Sequence, residues 1–436
     1  MKQLIISMSL PLMISLLIQS LYNIVDSIFI AMISEDSLTA TSLAYPMQLL
    51  MVAVSVGTSV GINAVLSRSF GARSKEQTTY AADSGLILAL AGMTLFMIIG
   101  LTGTDAYVRI FTSDLSISAD CSTYLRICMI LCGGLFIGTM YQRFLQAVGN
   151  TFDSMVSLIS GAITNLILDP IFIFGLAGFP EMGIRGAAIA TVTGQWVSAV
   201  AGVVLNKVHN PAVKTDFKGF RLSAMPVGQI YRVALPTIIM QALGSIMVST
   251  VNGILIQYTS AAVAFWGVYY KLQSFLFMPI HGMGQAAIPI TGYSYGAKRY
   301  DRISDMLHIM LPAAVSVSLI FSAVFYIFPH TLIGLFSPTD DMLEVGIPAL
   351  RIIGLTFAFA SVSMILGYTV SGLGDGMVNM MSTAIRQLIL LVPFMALFAK
   401  FGGVSSIWYA FWIAEPTATL YAILSARKHL QKIGVV

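Results

Sequence analysis

Residues 4–33 read LIISMSLPLMISLLIQSLYNIVDSIFIAMI. A helix crosses the hydrocarbon core of a bilayer with about 20 apolar residues, so this run spans it with residues to spare. It is too long for the roughly 7–15-residue core of a secretion signal and carries an acid, Asp26, which predicts a retained span rather than a cleaved leader. The same texture recurs along the chain and predicts twelve spans: 4–33, 39–66, 81–103, 119–147, 153–175, 184–206, 226–257, 261–290, 301–328, 345–371, 377–400 and 403–426. Of 436 residues, 57% are hydrophobic and 10% charged, against about 25% charged in soluble domains. So few charges cannot clothe a water-facing surface, so the solvent must be lipid. The reading is an all-α membrane protein, with a six-helix half at 1–206, a polar, basic linker at 207–225 and a second six-helix half at 226–436. Several spans exceed the bilayer, which predicts tilt or kinks. The three cysteines, Cys121, Cys128 and Cys132, share one apolar stretch and read as packing groups, not a disulfide framework.

Loop charges set the orientation. The set containing both termini, 67–80, 148–153, 206–232, 296–305 and 372–377 sums to +9, while 34–38, 103–120, 176–185, 257–262, 329–344 and 400–405 sum to −6. Positive loops stay cytoplasmic, so both termini are predicted inside a cytoplasmic membrane, as an even number of spans requires.

The halves repeat. A shift of 225 residues carries Leu10-Pro11 onto Leu235-Pro236, and Ser69, Gly71 and Ala72 onto Ser294, Gly296 and Ala297. It also carries Phe111 onto Phe336, Leu125-Arg126-Ile127 onto Leu350-Arg351-Ile352, and Gly149 onto Gly374. One offset at five separated places, with a rare intramembrane arginine among them, points to duplication. Six helices per half give both the same orientation, related by a pseudo-two-fold axis along the membrane normal. Transporters use such repeats to alternate access to a central site.

Ionisable groups inside a membrane are functional candidates by default. Here they are Asp26, Arg126, Arg143, Asp169, Lys271, Arg351, Arg386 and Glu415. Residues near helix ends, such as Arg143, are able to snorkel. Asp26 lies about seven residues below the outer end of the first span, Asp169 about six below that of the fifth, and Thr191 about seven into the sixth. At 1.5 Å per residue all three sit roughly 10 Å beneath the outer surface. Asn165 is one turn from Asp169, on the same face. Two carboxylates, an amide oxygen and a hydroxyl at one depth suit a small hard cation such as Na⁺. They equally suit a proton, because two close acids in low dielectric cannot both stay ionised cheaply. The bland alternative is a polar network that packs helices.

The second half lacks this set, for the shift places Val251, Leu390, Phe394 and Pro416 opposite Asp26, Asn165, Asp169 and Thr191. Its one membrane acid, Glu415, either pairs with Arg386 or forms a second protonatable site. Pro11 should bend the first span, as a static kink or a hinge. Gln19, Tyr22 and Asn23 lie between it and Asp26, and Gln19, Tyr22 and Asp26 share one face that could border a cavity. Among 25 Met and 25 Phe residues, most read as core or lipid-facing, and some as a pliable wall for varied hydrophobic substrates.

With these residues assembled, the chain resembles the multidrug and toxic compound extrusion (MATE) family. The resemblance rests on Leu10-Pro11 leading to Gln19-x-x-Tyr22-Asn23-x-x-Asp26, Gly71-Ala72-Arg73, Gln146-Ala147-Val148-Gly149-Asn150, Asn165-x-x-x-Asp169-Pro170 and Gly186-Ala187-Ala188-x-Ala190-Thr191. Each is weak alone; their order and spacing over the whole chain are specific. The resemblance implies two six-helix bundles around a V-shaped central cavity, and exchange of protons or sodium for cationic or amphipathic drugs. It places the family's N-terminal cation site on Asp26, Asn165, Asp169 and Thr191, and a bend of the first helix at Pro11. Another branch has acids in helices seven and ten; here Asn252 and Tyr368 stand in those helices, so that site does not carry over. The family often has an arginine in helix eight, where this chain has Lys271. Tyr269-Tyr270-Lys271-Leu272-Gln273 and Gly296-Ala297-Lys298 look like the staphylococcal-type multidrug exporters of the family.

The expected function is therefore antiport: inward H⁺ or Na⁺ drives export of small organic cations or amphipathic drugs, by a monomer needing no cofactor and no nucleic acid. A lipid-linked oligosaccharide flippase on a related scaffold is the alternative, with Arg126 and Arg351 as its candidate pyrophosphate contacts. An enzyme is disfavoured, as the sequence has no His cluster at metal spacing, no nucleophile motif and no phosphate-binding glycine loop. A channel fits poorly, because the halves share no acidic ring.

Overall fold

The computed structural model describes residues 1–112, 114–213, 215, 224–336 and 338–435. Much of the expected linker, at 214 and 216–223, falls outside these. The described residues form helices and no strand. In chain order they are α1 (Lys2–Ala31), α2 (Glu35–Gly71), α3 (Lys75–Thr102), α4 (Thr104–Phe111), α5 (Leu115–Ile130), α6 (Gly133–Ala147), α7 (Thr151–Phe174) and α8 (Ile184–His209). Then come α9 (Ala224–Leu255), α10 (Ser260–Gly296), α11 (Tyr300–Ile327), α12 (Pro329–Gly334), α13 (Asp340–Gly354), α14 (Phe357–Gly372), α15 (Met377–Ala384), α16 (Leu391–Gly402), α17 (Val404–Ile407) and α18 (Ala410–Lys432). A 3₁₀ turn at Leu176–Gly178 and a π-helical turn at Ile385–Ile389 complete the list.

Each expected span falls on one helix or one broken helix. Among the described residues, eight helices are long and apolar enough to cross a membrane, and ten when each bent pair counts as one span. The others, α10 and α18, have the length, but polar residues such as Lys271, His281 and Glu415 lower their hydropathy. On α3 the large apolar residues Leu95, Ile98 and Leu101 are exposed while Ala82, Gly85 and Ala89 are buried. Large side chains face out to lipid and small ones let neighbouring helices approach, the packing rule of membrane bundles.

Side chains at the loops close the helix ends. Ser34 Oγ accepts from Ser37 N, Asp114 Oδ1 from Ser116 N and Ile117 N, and Asn150 Oδ1 from Asp153 N. These caps serve amides left without intrahelical partners.

The duplication read from sequence recurs in backbone geometry. Arg73 and Lys298, 225 apart, both take a left-handed φ of 56°, and Gly149 and Gly374, again 225 apart, take φ of 91° and 98°. A left-handed backbone is uncommon for any residue but glycine, so a matched Arg and Lys reflect one inherited turn. The breaks match too. The helix of the fourth span bends by 45° between α5 and α6, and that of the tenth by 50° between α13 and α14. An indole serves the freed carbonyls at each: Trp196 Nε1 donates to Leu131 O at 3.2 Å, and Trp412 Nε1 to Ile352 O at 3.1 Å. At the first break Gly134 lies against α8; a Cβ there would be 2.6 Å from Trp196 N.

The chain forms two units, Leu10–Ala234 and Met1–Ser9 with Leu235–Val436. Their boundaries fall inside α1 and α9, just before Pro11 and Pro236.

Gly134→Ala should destabilise the first unit by about 1–3 kcal/mol, since backbone, not a flexible side chain, would have to move. Gly138→Ala is the control, as its Cβ would meet Ala199 at an ordinary 3.5 Å. Thermal unfolding in detergent should show a lower midpoint for the first variant only; equal midpoints would mean that this close approach does not hold the break.

Candidate functional site

The first unit brings three of the four expected residues together. Asp26 comes from α1, and Asn165 and Asp169 from successive turns of α7. Asp169 is fully buried, Asn165 nearly so and Asp26 half-buried. Asn165 Nδ2 donates to Asp169 Oδ1 at 3.1 Å. The Asp26 and Asp169 carboxyls meet side chain to side chain. Asp26 Oδ1 and Asp169 Oδ2 are buried with no protein donor. Buried carboxylate oxygens normally accept hydrogen bonds, so these two lack, among the described residues, the partner such groups usually have. A proton or a small hard cation would satisfy both oxygens.

Glycines bring the supporting helices close. A Cβ on Gly161 of α7 would lie 2.6 Å from Gly194 O of α8, and one on Gly194 would lie 3.0 Å from Asn165 Cβ. With no side chain between them, the two backbones fix where Asn165 and Asp169 stand. Thr191 lies on the turn of α8 before Gly194 and makes no side-chain hydrogen bond to Asp26, Asn165 or Asp169. It adjoins the trio without bonding to it.

Further residues surround the pair. Tyr22, one turn before Asp26, lies within the electrostatic reach of both acids. So does Tyr124 of α5, and Cys128, one turn on, feels Asp26. Gln48 of α2 approaches both, with Nε2 3.4 Å from Tyr124 Oη and 3.7 Å from Cys128 Sγ. Sequence reading missed Gln48 and Tyr124 and took Cys128 as packing alone. The available signal was the i, i+4 spacing of Tyr124 and Cys128 with a lone mid-span glutamine. Gln19 is half-buried and Asn23 exposed. Helix α1 continues through Pro11, whose carbonyl accepts from Ser15 Oγ at 2.8 Å.

Other charged candidates have partners of their own. Arg126 pairs with Asp105 at 2.6 Å. Arg351 donates to Tyr326 O at 3.2 Å and covers the Tyr326 ring at 5.5 Å. Arg143, expected to be able to snorkel, is instead buried and donates to Gln146 Oε1 at 2.6 Å, and Gln146 donates to Ser154 at 2.8 Å. Arg386 and Glu415 stand 4.0 Å apart in the second unit. The three cysteines are buried and free. Among the described residues no three His, Cys, Asp or Glu side chains converge as a metal cluster.

The MatE family profile matches residues 11–171 and again 236–397, stretches that begin 225 residues apart. The multidrug export protein MepA of Staphylococcus aureus (strain NCTC 8325 / PS 47) is 25% identical over 430 residues, covering 95% of this chain and 91% of that protein. MepA of Staphylococcus haemolyticus (strain JCSC1435) is 24% identical over 426 residues with the same coverage. A multidrug resistance MATE family transporter of the MOP superfamily, solved outward-facing, superposes with a TM-score of 0.92 at 25% identity, covering 100% of this chain and 97% of that one. A MOP superfamily transporter from Pyrococcus furiosus shares the fold, with a TM-score of 0.89 at 24% identity and coverage of 99% and 96%. With both halves matched by one profile and the whole chain laid on the twelve-helix transporter fold, the protein belongs to the MATE family of membrane transporters.

Proposed function

We propose that this multi-pass membrane transporter exports small organic cations or amphipathic drugs by antiport against H⁺ or Na⁺, loaded at Asp26 and Asp169. The observation that carries the reading is the buried carboxyl pair with two oxygens that no protein group serves. Loading one positive charge halves the charge of the ionised pair, and Asn165 holds Asp169 in place for either ion. Thr191 would complete an oxygen set if Na⁺ couples. Tyr22 and Tyr124 border the pair. A driving ion can move an alternating-access equilibrium only by binding one state better than the other, and a half-buried Asp26 against a fully buried Asp169 suits a site that opens on one side at a time. Pro11 is a candidate hinge on α1, since its missing N–H leaves that turn short of a backbone bond. The family's multidrug relatives support drug-like substrates, and the low charge content supports a chain embedded in the lipid bilayer. The flippase alternative loses its proposed contacts, because Arg126 is held by Asp105 and Arg351 by Tyr326.

Dye efflux from vesicles under separately imposed proton and sodium gradients tests the reading. Asp26→Asn and Asp169→Asn should each slow gradient-driven efflux more than about tenfold, because they remove the charge that distinguishes the states, while their thermal midpoints stay near wild type. A folded variant with full coupled efflux would refute the mechanism.

The loop charges support a reading with both termini on the cytoplasmic side. Glu76→Cys and Asp341→Cys introduce exposed thiols in opposite loop sets, against buried native cysteines. An impermeant maleimide should label Asp341→Cys in intact cells and Glu76→Cys only after permeabilisation; the reverse pattern would invert the topology.

A further inference from the structure

The second unit holds a cavity of about 100 Å³ between α9, α10, α14, α16, α18 and the π-helical turn. Its walls include Trp266, Tyr270 and Phe411, with Arg386, Gln387 and Glu415 among them. The polar members are poorly satisfied. The Arg386 guanidinium carries five N–H donors yet makes no hydrogen bond among the described residues, and its contact with Glu415 is Nε to Oε1 at 4.0 Å. That is too long for a hydrogen bond. Glu415 Oε2, Gln387 Oε1 and Trp266 Nε1 are buried without partners. Glu415 keeps only 5% side-chain exposure and Arg386 13%. A cation and an anion thus stand on the same small space as a long ion pair, with no hydrogen bond between them.

The local fold makes this space. Between Ile385 and Ile389 the helix widens, with Leu390 N donating to Ile385 O at 3.1 Å, five residues back. Such π-turns are rare and recur at functional sites. Here the turn sets Arg386 and Gln387, neighbours in sequence, on one cavity wall. The equivalent positions in the first unit, 225 residues earlier, are Gly161 and Ala162, where Gly161 packs on Gly194. Opposite Glu415 stands buried Ala190. The first half closes this site with small residues; the second opens it and lines it with charge.

We propose that this cavity binds the zwitterionic head of a small molecule, with its cationic end at Glu415 beside Trp266 and Phe411 and its carboxylate on Arg386. A quaternary ammonium against aromatic faces gains cation–π attraction, and a carboxylate meets a guanidinium in a matched two-point contact. A ligand with both groups bridges the 4.0 Å gap and satisfies both partners at once. A lone cation or anion would leave one of them short. The proposal does not depend on the coupling role given to Asp26 and Asp169.

Calorimetric titration of the purified full-length protein tests it with three probes of similar shape: glycine betaine, choline and tert-butylacetate. Glycine betaine should bind at least about tenfold more tightly than either singly charged probe. The double variant Arg386→Gln/Glu415→Gln removes both charges together, leaving neither buried and unpaired, and should lose that preference while keeping its thermal midpoint. Equal affinity for choline and betaine would make this a plain cation pocket. Binding of no probe would make it a water-filled gap, and an unchanged preference in a folded double variant would put the zwitterion elsewhere. Each of those results overturns the proposal.

Discussion

Two carboxyls, Asp26 and Asp169, meet inside a lipid-embedded bundle, and among the described residues only Asn165 donates a hydrogen bond to the pair. In low dielectric two adjacent negative charges repel strongly, and removing both from water without compensation is prohibitive. On the proposed reading, the arrangement persists by holding positive charge. What surrounds it follows from that need. Glycines at 161 and 194 let α7 and α8 approach until Asn165 and Asp169 have fixed positions, and aromatic residues, not acids, fill the adjacent shell. An ion-coupled transporter requires a group that changes charge when its ion arrives, and the proposed function gives that role to this pair.

The duplication separates scaffold from chemistry. Helix ends, left-handed turns and bent pairs repeat at the same offset in both halves, down to the matched Arg73 and Lys298 backbones. Side-chain chemistry does not repeat. Val251 and Phe394 replace the two acids, whereas Arg386 and Glu415 replace Gly161 and Ala190. Two copies of one fold have thus been given different polar interiors, one with a paired acid and one with an opposed cation and anion. Geometry that both halves keep is what the bundle needs to fold; residues that only one half keeps are the ones to ask about function.

Much of this was legible in the sequence because lipid imposes a simple rule. Every backbone polar group must be satisfied within its own segment, so apolar length alone locates the spans, and the expected boundaries fall within a few residues of the helices. Depth along α1 and α7 brought Asp26 and Asp169 to one level, and helical spacing joined Asn165 to Asp169. Other features were hidden because they depend on partners far away in sequence. The break at Leu131 needs the indole of Trp196 and the missing side chain of Gly134. The short helices α4 and α12 lie in expected loops, and α17 breaks off the start of the last expected span; all three are too short to register in a hydropathy pattern. Tyr124 and Cys128 come within electrostatic reach of the acids, and Gln48 approaches those two, only after helices distant in sequence assemble. The π-helical turn that presents Arg386 and Gln387 has no periodic signature at all.

The central claim is that the carboxyl pair holds a positive particle that gives way to substrate. The most direct measurement counts ions released when tetraphenylphosphonium saturates the purified protein in weakly buffered solution, reading protons with an indicator and sodium with a radiotracer. The account predicts release of one of these ions by wild type and none by a folded Asp26→Asn/Asp169→Asn double variant. Saturable binding with no ion released by wild type, or equal release by both proteins, would contradict it.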